Sequence, residues 1–91
     1  MKRRILIVDD EPDACELAGF VLGGAGHQTI VAKDGLETLR LAQELLPDLI
    51  LLDLMLPELD GIAVCEILKR DPITAKIPVI MLTAWSSNTA L

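Results

Sequence analysis

The sequence predicts an α/β fold, a parallel sheet with helices on both of its faces. Three observations point there. Apolar runs of strand length recur at residues 4–8, 27–32, 48–53 and 78–82. Between successive runs lie stretches with helical spacing of apolar residues, and parallel strands need crossover connections of this kind. The runs at 4–8 and 48–53 are continuous rather than alternating, as in strands buried on both faces. With no repeat, low-complexity segment or linker, the chain is expected to form one domain over residues 1–91.

"RILIV" (4–8) is the first strand, rich in β-branched residues. Pro12 suits the first turn of the helix that follows. Leu17, Phe20, Val21 and Gly24 recur at i, i+3, i+4 and i+7, so they are expected to form its inward face. Gly23, Gly24 and Gly26 should end it. "HQTIVA" is a second, weaker strand. "KDG" is a turn in which Asp34 can cap the second helix. That helix runs to about Leu46, with Leu39, Ala42 and Leu46 inward, and Pro47 stops it. "DLILLD" (48–53) is the third strand and "LMLPELDG" a loop. The third helix carries Gly61, Val64, Cys65 and Leu68 on one face. "DPITAKI" connects it to the fourth strand, "PVIML" (78–82), after which "TAWSSNTAL" remains.

The chain is 52% hydrophobic with a mean hydropathy of +0.47. That is high for 91 residues, so part of the apolar surface calls for a partner. Phe20 and Trp85 are its aromatic residues, which argues against a stacking platform for single-stranded nucleic acid. The net charge of −6 argues against direct binding of nucleic-acid phosphates. Cys15 and Cys65 lie within apolar helical patterns and are expected as buried free thiols in a reducing cytoplasm. No apolar run reaches membrane-spanning length, and "MKRRILIVDD" is not a signal peptide. His27 opens the second strand, far from the acids, and reads as a surface histidine rather than a ligand.

The acids are unevenly spread: Asp9, Asp10, Glu11, Asp13 and Glu16 fall close together. A solvated helix start is the plain reading of such a cluster. Sites in open parallel sheets, however, form at the carboxyl ends of the strands. Asp9 and Asp10 end the first strand, Asp53 the third and Thr83 the fourth. Three carboxylates with no Lys or Arg among them repel one another, and a hard divalent cation resolves that repulsion. Beside such a cation an aspartate can attack phosphorus and become an aspartyl phosphate, with Thr83 holding a phosphoryl oxygen. On this reading Asp53 is the nucleophile.

"ILIVDDEP", "AKDGLETL", "PDLILLDLMLPELDG" and "IPVIMLTA" follow one another in an order and spacing that resembles the receiver domain of bacterial two-component response regulators. The resemblance covers essentially the whole chain. It implies a flavodoxin-like (CheY-like) fold with strand order 2-1-3-4-5 and phosphorylation of Asp53 by a histidine kinase. By the same resemblance Asp10 and Asp53 ligate Mg²⁺ (or Mn²⁺ or Ca²⁺), Asp9 helps directly or through water, and the Met55 backbone carbonyl is a further ligand. Thr83 is the switch hydroxyl, the Ala84 amide touches the phosphoryl group, and Pro57 and Gly61 shape the loop beyond Asp53. A domain of this kind takes part in its own phosphotransfer without being a turnover enzyme. A phosphatase of the haloacid dehalogenase type would need a second aspartate two residues after the nucleophile, and Met55 stands there.

The family pattern continues with a further helix, a fifth strand ending in Lys-Pro and a fifth helix. These 91 residues stop at Leu91, so the expected sheet is incomplete, four strands in the order 2-1-3-4. No lysine follows Lys76, which precedes the fourth strand at the opposite edge of the sheet, and Lys69, late in the third helix, is no better placed. Phosphorylation is therefore expected to be impaired. The fourth strand would be a bare apolar edge, so a homodimer or higher oligomer through that strand or through uncovered faces is expected. Trp85 is either the first turn of a following helix or folded onto such a surface. The competing reading is a non-signalling, self-associating scaffold.

Overall fold

The fold is a computed structural model, which describes residues 2–53 and 61–82. Its elements are β1 (Arg4–Val8), α1 (Pro12–Gly24), β2 (Gln28–Ala32), α2 (Gly35–Leu45), β3 (Leu49–Asp53), α3 (Gly61–Arg70) and β4 (Val79–Leu82). The four strands form one parallel sheet in the order β2-β1-β3-β4. Strands alternating with helices cannot pair as hairpins, and the crossovers place helices on the sheet faces.

β1 sits inside the sheet, and Ile5, Leu6, Ile7 and Val8 are all buried. Successive side chains point to opposite faces, so two cores form. Leu6, Val8, Ile50 and Leu52 pack with Ala42 of α2 and with Val64 and Leu68 of α3. Ile5 and Ile7 pack on the other side with Cys15, Ala18 and Leu22 of α1, beside Leu49 and Leu51 of β3. Each fully buried aliphatic side chain contributes about 1.5–3 kcal/mol.

α1 turns a different side to the sheet from the one its spacing predicts. Leu17, Phe20 and Val21 are 65%, 80% and 59% exposed, and Gly24 is exposed too. The inward residues are Cys15, Ala18, Gly19 and Leu22, which share the same i, i+3, i+4, i+7 spacing two positions earlier. Three of these four are small, and Leu22 supplies the larger apolar contact. A Cβ on Gly19 would sit 3.5 Å from Thr29 Oγ1 on β2.

α2 starts as expected. The Asp34 carboxylate accepts the Glu37 N–H at 2.8 Å, and Glu37 Oε1 accepts the Lys33 N–H at 2.9 Å. Leu46 does not point inward. It is the left-handed cap of the helix, with φ 46°, and is half exposed at 51%. On α3, Gly61, Val64 and Leu68 are buried and Cys65 is half-buried against the core. The connection to β4 is tied down by two side chains. The Thr74 hydroxyl donates to the Leu68 carbonyl at 2.7 Å, and Lys69 Nζ donates to the carbonyls of Ala75 (3.2 Å) and Ile77 (2.7 Å). Among the described residues no helix is long and apolar enough to cross a membrane.

Candidate metal centre

The register of the sheet assembles the site. Val8 of β1 pairs with Leu52 of β3, so Asp9, the next residue, emerges level with Asp53 at the carboxyl edge. Asp10 follows in the turn that leads to α1. One carboxylate oxygen from each of Asp9, Asp10 and Asp53 lies within 4.8 Å of the other two. Asp10 is exposed, and Asp9 and Asp53 are half-buried.

The turn carrying Asp9 and Asp10 is pinned at each step. The Asp9 N–H donates to the Ala32 carbonyl of β2 at 3.1 Å. The Asp9 carboxylate accepts the Glu11 N–H at 2.9 Å. The Cys15 N–H donates to the Glu11 carbonyl at 3.1 Å. The Cys15 thiol reaches back and donates to the Asp9 backbone carbonyl at 3.3 Å.

Electrostatics set this edge apart. Burial pushes the Asp9 carboxyl above its ordinary value, and the charges of Asp53 and Asp10 add to that, against the lowering effect of the Glu11 amide. A hydrogen bond between the Asp9 and Asp53 carboxyls raises it further. Burial, with the Asp9 charge second, also pushes the Cys15 thiol up, so its proton stays on sulfur. The ion pairs among the described residues join Arg3 to Asp48 and Arg40 to Glu37 and Glu44, and none reaches Asp9 or Asp10. Three convergent hard oxygen donors suit Mg²⁺ or a similar divalent ion.

The response regulator receiver domain family matches residues 5–91. The chain belongs to this family. It is 49% identical over 84 residues to the DNA-binding response regulator MtrA of Mycolicibacterium smegmatis, covering 92% of this chain and 36% of that protein. The chain thus spans about a third of the length of the curated relatives it matches. A putative response regulator from Chloroflexus aurantiacus superposes with a TM-score of 0.90 at 36% identity, over 99% of this chain and 74% of that one. The receiver domain of a sensor histidine kinase from Pseudomonas aeruginosa superposes at 0.87 with 30% identity, over 92% of this chain and 69% of that one. That structure holds a magnesium ion coordinated in its active-site cleft. The flavodoxin-like architecture and the strand order 2-1-3-4 are as expected.

Of the residues that the sequence nominates for a receiver site, Asp9, Asp10 and Asp53 come together. Met55, Pro57, Thr83, Ala84 and Trp85 lie outside the described residues. His27 is far from the acids but is half-buried rather than a free surface group, and its Nδ1 accepts the Arg3 N–H at 3.2 Å. Lys69 is engaged by the loop before β4, away from the receiver site. Sequence reasoning missed the Cys15 bond to Asp9. The available signal was Pro12, which starts the helix early enough for its first turn to lie over the end of β1.

Proposed function

We propose that this receiver domain accepts a phosphoryl group from a histidine kinase on the Asp53 carboxylate. The observation that carries this reading is the convergence of Asp9, Asp10 and Asp53 within 4.8 Å at the carboxyl edge of the sheet. A carboxylate oxygen of Asp53 attacks phosphorus, and the bond from phosphorus to the donor's leaving atom breaks. Asp10 and Asp53 hold a divalent cation, with Asp9 assisting and the Met55 carbonyl as a further ligand. That ion supplies positive charge to the phosphoryl oxygens. The Thr83 hydroxyl and the Ala84 amide receive the transferred group. The domain is consumed and regenerated in signalling rather than turning over as an enzyme, and the net charge of −6 leaves nucleic-acid contacts to other domains. Its free thiols fit a reducing cytoplasm.

Mass spectrometry of the intact chain, after incubation with acetyl phosphate and Mg²⁺, tests the reading. A single phosphoryl adduct is expected, absent from Asp53→Asn and strongly reduced in Asp10→Asn. An equal adduct on Asp53→Asn would overturn it. No lysine follows Lys76 in these 91 residues. Taken alone they should therefore label slowly, since lacking a preorganised charged donor costs about 10²–10³ in rate.

A second reading, self-association, is favoured by the exposed apolar residues Leu17, Phe20 and Val21 on α1 and Ile80 and Met81 on β4. Sedimentation of the 91-residue chain should show a concentration-dependent dimer.

A further inference from the structure

The carbonyl of Asp9 lies just past the end of the β1 ladder. Its own N–H makes the last bond to β2, donating to Ala32. Among the described residues the Cys15 thiol is the group that donates to this carbonyl, at 3.3 Å. The carbonyl belongs to the peptide unit that joins Asp9 to Asp10. Holding it fixes the plane from which both carboxylate side chains project. Cys15 is itself anchored, because its N–H donates to the Glu11 carbonyl and its side chain packs against Ile5 and Ile7. The contact therefore runs from the buried core through a thiol to the backbone between two acids.

We propose that Cys15 is a positioning residue of the acidic site, its thiol holding the Asp9–Asp10 peptide in the orientation that lets both carboxylates grip a divalent cation. This rests on the metal-binding reading above. A cation site tolerates little misplacement of its ligands, about 0.5 Å or 10–20°. Groups that orient ligands from behind typically change metal affinity by about 10–100-fold. A thiol is a weak donor, so the expected effect here is smaller, about three- to tenfold.

Packing and hydrogen bonding make opposite demands at this position, which allows a crossed test. Cys15→Ser keeps a donor and loses a little volume. Cys15→Val keeps the volume and loses the donor. Leu22→Ala removes packing from the same face of α1 without touching the turn. Titration of the full ¹⁵N-labelled chain with MgCl₂, followed by NMR, reads affinity and location together, and urea unfolding without metal reads stability. Cys15→Ser and Leu22→Ala should bind Mg²⁺ within about twofold of the parent, and Cys15→Val about three- to tenfold more weakly, whatever the order of their stabilities. Parental affinity in Cys15→Val, or a loss in Cys15→Ser equal to that in Cys15→Val, would overturn the proposal and leave the metal reading intact. A parent chain with no saturable shifts around Asp9, Asp10 and Asp53 would overturn both.

Discussion

Asp9 shows what the site costs the fold. Its carboxyl is raised by burial and by the charges of Asp53 and Asp10. A carboxyl whose folded value lies above its unfolded one disfavours the folded state once ionised. Its contribution is therefore unfavourable at neutral pH and is relieved as pH falls through the folded value towards about 3.9. Without metal, the Asp9 part of stability should grow on acidification from pH 7 towards about pH 4. Urea unfolding across that range checks it. Asp9→Asn should raise metal-free stability at pH 7 by about 0.5–1 kcal/mol, with screening allowed for, and flatten the trend. Saturating MgCl₂ should flatten it in the parent. A second single-residue effect lies at the start of α2. Asp34 accepts the Glu37 N–H at 2.8 Å, so Asp34→Ala should cost about 1 kcal/mol, read as a lower urea midpoint with unchanged slope. The cap and the acids were both legible in the sequence, because each is signalled by residue type next to an element boundary. The Cys15 bond was not, since a thiol in an apolar pattern reads as core until the chain path shows what it faces.

At the scale of elements, legibility depended on contrast. β1 stood out because "RILIV" is bracketed by charge on both sides, and α3 because Gly61, Val64 and Leu68 alternate with Glu66, Lys69 and Arg70. α1 offered no such contrast. Ala14, Cys15, Leu17, Ala18, Phe20, Val21 and Leu22 are apolar nearly all round, so periodicity admits two faces two residues apart. The larger side chains drew the prediction, but Cys15, Ala18 and Leu22 are the ones that pack on the sheet. This makes a test. Gly19 has room for a methyl group, which would meet Thr29 Oγ1 at 3.5 Å, an ordinary contact. Gly19→Ala should therefore stabilise the chain by about 0.5–1 kcal/mol through helix propensity, measured by urea or thermal unfolding. A bulkier Gly19→Leu should lift α1 from β2 and cost stability instead. Leu46 shows the complementary limit. Its apolar character predicted burial, but it occupies the left-handed cap before Pro47, where backbone geometry outweighs side-chain preference.

Over the described residues, α1 exposes Leu17, Phe20 and Val21 and β4 exposes Ile80 and Met81, with further exposed apolar residues at Leu36 on α2 and Ile62 and Ile67 on α3. If α1 carries self-association, Phe20→Glu should weaken the dimer at least tenfold in sedimentation while leaving the thermal midpoint of dilute protein within a few degrees. The relatives continue well beyond the region matched here, and adding their further elements is the corresponding experiment for covering this surface. The pairing of Val8 with Leu52 has another consequence. It brings Asp9 and Asp53 together from opposite halves of the chain, so the proposed cation site cannot exist before β1 and β3 have met. Mg²⁺ thereby becomes a clock for that event. Parallel pairing of distant segments closes large loops and tends to come late. Stopped-flow kinetics should then show Mg²⁺ slowing unfolding and leaving refolding nearly unchanged. Faster refolding with Mg²⁺ would place the meeting of β1 and β3 at or before the folding barrier.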